Sequence, residues 1–80
     1  KAKQAEVRTL RTAVSAAEKS VVDLEEKQAE LSAELEDPGT YEEAGKAQHL
    51  NRELTAISDQ LSAANQAWET AATKLSEAEA

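Results

Sequence analysis

Apolar residues recur along this chain at alternating steps of three and four, and that spacing leaves few ways for it to fold. Val7, Leu10, Val14, Ala17, Val21, Leu24, Leu31 and Leu35 keep the rhythm through the first half, with Gln28 as its only polar member. Ala47, Leu50, Leu54, Ile57, Leu61, Ala64, Trp68, Ala71, Leu75 and Ala78 carry it through the second half unbroken. A repeat averaging about 3.5 residues is a coiled-coil seam, narrower than the apolar stripe of a helix in a globular core. The expected fold is all-α, a two-helix antiparallel coiled-coil hairpin with helices at about 4–36 and 41–79.

The stretch between the two runs, LEDPGTYEEA at 35–44, interrupts the helix. Pro38 drives Asp37 away from helical backbone angles, which ends the first helix near Glu36. Gly39 is free to take the angles of a sharp reversal. Thr40 and Glu43 stand at capping-box spacing, and Glu42 and Glu43 suit the positive end of a helix dipole, so a second helix is expected from about Tyr41. A connection this short makes its helices antiparallel neighbours. The chain is therefore read as one hairpin domain over 1–80 with its tip at 37–40. Because it opens on Lys1 rather than Met, it is also read as a fragment of a larger protein.

If Gly39 centres the turn, the seam pairs Leu24 with Leu54, Val21 with Ile57, Ala17 with Leu61, Leu10 with Trp68 and Gln28 with Leu50. The flanking charges then match in sign: Glu6 with Lys74, Lys27 with Glu53, Glu34 with Lys46. Sliding one helix by a heptad instead sets Glu34 against Glu53. The charge pattern therefore favours the first register. Gln28 reads as a register device, since a polar seam residue narrows the permitted alignments at some cost in stability.

Composition excludes most chemistry. The chain has no Cys, Met or Phe, one Trp and one Tyr, too little for an enclosed ligand pocket in so short a sequence. No phosphate-cradling glycine loop, catalytic Ser-His-Asp set or cysteine nucleophile is present. His49, the single histidine, falls on the solvent side without a catalytic partner. Glu26, Glu30 and Glu34 form an acidic row whose spacing could hold a divalent ion, but metal sites usually add His or backbone oxygens in a loop, so the row reads as a solvated face. The segment is expected to be non-catalytic, with no cofactor and no metal of its own. No apolar run is long enough to span a membrane. A hairpin with one alanine-rich seam is expected to be a marginally stable monomer with weak self-association.

Charge is uneven. The net charge is −7, and the bend end is acidic from Asp23 to Glu43, with Lys27 as its only base. Lys1, Lys3, Arg8 and Arg11 gather at the open end, where any nucleic-acid contact is expected. Trp68 near that end reads as a core filler or as a ring partly facing a neighbouring domain. Tyr41 reads as packing over the last leucine of the first helix or as a partner contact.

Leu35-x-Asp37-Pro38-x-x-Tyr41, then Leu50-x-x-Glu53-Leu54, then Trp68-Glu69, resembles the C-terminal coiled-coil domain of the ABC-F family of ATP-binding cassette proteins. The resemblance covers roughly residues 10–78, and Asp37, Pro38, Gly39 and Tyr41 supply its tip motif. It implies a non-catalytic interaction domain that follows the second cassette of a cytoplasmic ATPase. ATP would bind in the parent cassettes, and nucleic acid (DNA) or the ribosome would be the partner. The alternative is a purely structural spacer or dimerisation arm.

Overall fold

The computed structural model describes residues 2–80, with side chains from Lys3 onward. It is a rod of 61 × 14 × 14 Å, made of helix α1 (Ala2–Glu36), a 3-10 turn (Pro38–Glu42) and helix α2 (Lys46–Glu79). The helices are 35 and 34 residues long and lie antiparallel along their whole length, which gives the hairpin the sequence predicts. No helix among the described residues is long and apolar enough to cross a membrane.

The seam matches the sequence position by position. Every α1 residue from Val7 to Leu35 in the three-four series is at least half-buried, Gln28 included, and its flanks are exposed. On α2 the series from Ala47 to Ala78 is likewise at least half-buried, except that Trp68 remains 36% exposed. The deepest part sits toward the bend, where Leu31, Leu50 and Ile57 are buried and Leu24, Leu35, Leu54 and Leu61 pack against them.

Two expectations are corrected at the bend. Helix α2 begins at Lys46, not near Tyr41, because residues 38–42 wind into a 3-10 turn and Gly45 then breaks the helical path. Gly45 holds φ 80° and ψ −7°, the left-handed region that side chains resist. It is the one residue with positive φ among those described. Gly39, which the sequence suggested for that role, does not have it. Nor do Thr40 and Glu43 form a capping box. The Thr40 hydroxyl donates to the Glu34 carbonyl instead, so it serves the end of α1 rather than the start of α2.

The register is also corrected, by one heptad. Trp68, expected beside Leu10, donates its indole N–H to Glu18 Oε1 at 3.2 Å. Arg11 meets Glu79 at 2.9 Å, and Lys3 Nζ donates to the Ala80 carbonyl at 3.3 Å. The longer connection carries the fold-back point from Gly39 to the neighbourhood of Glu43. None of the three expected flanking ion pairs forms. Glu53 is met by His49 at 3.1 Å and Glu43 by Lys46 at 3.9 Å, both within one helical turn or across the turn's edge.

Apolar burial explains the outcome. In the expected register Leu31 would face Ala47, and Leu35 would run past the start of α2. In the observed one both join the leucine cluster. Burying a leucine contributes roughly 1.5–3 kcal/mol. Three exposed ion pairs contribute roughly 0.2–1 kcal/mol each. The seam outweighs the flanks.

Candidate functional surfaces at the two ends

The open end gathers the basic residues named from the sequence. Lys3, Gln4, Val7, Arg8 and Arg11 of α1 line one side of a shallow groove, and Ala78 and Glu79 of α2 line the other. Positions 4, 8 and 11 follow one another at helical spacing, so they rise along one face. Lys1 lies outside the described residues. Arg11 is answered by Glu79 in an exposed pair, with side chains 65% and 44% accessible. Such a pair is weakly held and exchanges readily for another anion. Arg8 forms no ion pair among the described residues. The groove is open to solvent, and what it can do chemically is attract and orient an anion.

At the bend, each residue of the tip motif has a local task. The last carbonyls of a helix lack intrahelical donors, and here the turn supplies them. The Asp37 N–H donates to the Glu34 carbonyl at 3.2 Å, the Thr40 hydroxyl donates to the same oxygen, and the Tyr41 hydroxyl donates to the Leu35 carbonyl at 2.7 Å. Asp37 has extended angles, as a residue before proline must. Its Oδ1 accepts the Gly39 N–H at 2.9 Å, which starts the 3-10 turn. Pro38 occupies the first position of that turn, where no N–H is needed. Thr40 is 3% exposed and is the one buried polar residue among those described. The sequence reading missed its role, although its hydroxyl sits four residues after the helix-ending Glu36, within reach of the free carbonyls. Tyr41 keeps 63% of its surface exposed. Its hydroxyl is committed to α1 and its ring is left to solvent.

The remaining candidates stay apart. His49 is exposed and pairs with Glu53 on its own helix. Glu26 and Glu30 rise along the exposed side of α1, and no group of three potential metal ligands forms among the described residues.

One family model, the ABC transporter C-terminal domain, matches residues 3–73. No curated protein and no solved structure matches the chain. The match takes in the seam of α1, the whole bend and most of α2. The chain belongs to the ABC transporter C-terminal domain family.

Proposed function

We propose that this chain is the non-catalytic C-terminal coiled-coil interaction domain of an ABC-F type ATPase, working in the cytoplasm beside cassettes that bind ATP. It would carry no cofactor of its own. Its role is to hold the parent against nucleic acid or the ribosome through the basic open end. Family membership and the Asp37-Pro38-x-x-Tyr41 tip support the parentage. The observation that carries the contact is the groove edged by Lys3, Arg8 and Arg11, where this acidic chain turns three cations outward together. Lys1, outside the described residues, is proposed as a further nucleic-acid contact. Phosphate contacts of this kind release counterions, so binding should weaken steeply with salt.

Gel shift of the chain with duplex DNA and co-sedimentation with ribosomes test this reading. Salt-sensitive binding to either, weakened by Arg8→Glu combined with Arg11→Glu, is expected. Binding to neither would overturn the contact. The second reading, a structural spacer or dimerisation arm, draws on the net charge of −7, which opposes a phosphate backbone. Sedimentation showing a concentration-dependent dimer would favour it.

A further inference from the structure

Trp68 occupies a seam position yet is 36% exposed, far more than the buried leucines of the same seam. The observed register explains why. Trp68 lies opposite the α1 layer around Ala17, and its N–H reaches Glu18 on the flank of α1 while part of its ring stays exposed. There it shares a cleft with Val21, Val22 and Asn65. Val22 is 52% exposed. Two large apolar groups from different helices therefore form one ledge on the side of the rod. The indole N–H already has its acceptor, so what the ring still offers is hydrocarbon edge and π surface.

The border of the ledge is anionic. Within one helical turn of Val22 lie Glu18, Lys19, Asp23, Glu25 and Glu26. Lys19 is spent on Asp23 at 3.3 Å. No base among the described residues pairs with Glu18, Glu25 or Glu26. An exposed indole beside unpaired carboxylates is the setting that a guanidinium fits best. Arginine stacks on aromatic rings, and its fork can meet a carboxylate through two donors. A second copy of the chain would bring the same acidic border against itself, and a phosphate backbone or anionic lipid surface would be repelled.

We propose that the Trp68–Val22 ledge is a docking site for an arginine-bearing segment of a partner protein. The guanidinium lies against the indole and the Glu18 carboxylate, and a neighbouring aliphatic residue covers Val22. The site is separate from the basic groove at the open end, so nucleic-acid binding can fail without affecting it.

Trp68 is the only tryptophan, which makes its fluorescence a local probe. The full 80-residue chain is titrated with a synthetic 15-residue helical peptide carrying arginine and leucine on one face, and with its counterpart in which glutamate replaces arginine. A saturable emission change with the arginine peptide alone is expected. Val22→Lys should weaken it at least ten-fold, and Glu18→Gln several-fold, because the amide still accepts the indole N–H but no longer carries charge. Glu42→Gln with Glu43→Gln at the bend should leave the titration unchanged, which separates the ledge from general acidity. Circular dichroism confirms that each variant keeps its helices. No saturable change, or an unaltered one in Val22→Lys, would overturn the proposal. So would a concentration-dependent emission shift and dimer in the absence of peptide, which would assign the ledge to a second copy.

Discussion

The Tyr41 hydroxyl donates to the main-chain carbonyl of Leu35 at 2.7 Å, tying the exposed tip back onto the last turn of α1. Together with Thr40 on the Glu34 carbonyl, it makes the turn a C-terminal cap for the first helix. A net hydrogen bond contributes about 0.5–1.5 kcal/mol, and leaving a buried acceptor unmet costs about 1–3 kcal/mol. Tyr41→Phe should therefore destabilise the hairpin by about 1 kcal/mol. Thr40→Val should cost less, because the Glu34 carbonyl keeps the Asp37 N–H as a donor. Urea unfolding followed by far-UV circular dichroism measures both, and a larger loss in Thr40→Val would contradict the role of the Asp37 N–H as the remaining donor.

The two glycines of the bend should respond differently to alanine. Gly45 stands at φ 80°, where a side chain costs roughly 1–2 kcal/mol. A Cβ on Gly39 would meet the Asp37 side chain no closer than 3.4 Å, an ordinary contact. Gly45→Ala should lower the melting temperature by several degrees, at about 4–8 °C per kcal/mol for a domain of this size. Gly39→Ala should change it little. The opposite order would restore Gly39 as the hinge.

Register can be read by cross-linking. Val21 and Asn65 border one cleft, so Val21→Cys with Asn65→Cys should form an intramolecular disulfide on mild oxidation. Ala17→Cys with Leu61→Cys, the pair that the charge pattern favours, should not couple in the monomer. Non-reducing electrophoresis distinguishes them, and the reverse result would return the hairpin to the other alignment.

Gln28 lies half-buried in the seam. A polar seam residue lowers stability and raises specificity. Gln28→Leu should raise the unfolding free energy by about 1 kcal/mol while letting the helices slide, so that both cysteine pairs couple in that background. A gain in stability with a single register would show that Gln28 does not set the alignment.

Much of this was legible in advance. The burial of the seam from Val7 to Leu35 and from Ala47 to Ala78, Trp68 apart, follows directly from its spacing, because residues every 3.5 positions share one face whatever packs against it. The end of α1 at Glu36 was equally plain, since Pro38 restricts the residue before it. The start of α2 was not. Thr40 and Glu43 satisfy the capping-box spacing, but the free carbonyls of α1 compete for the same hydroxyl, and α1 is the helix that obtains it. The clustering of Lys3, Arg8 and Arg11 could be read along one helix. Glu79 as the partner of Arg11 could not, because that contact depends on how far α2 runs back.

Sequence alone determined that the chain forms two amphipathic helices, where the first one ends and which face of each is buried, because these are local consequences of backbone sterics and helical pitch. Only the tertiary structure decided which residues meet across the seam. A heptad pattern is unchanged by a slide of seven residues, so periodicity cannot choose between such alignments. The choice falls to the turn's length and to the added burial of Leu31 and Leu35, and that same choice brings Trp68 out onto the flank beside Glu18.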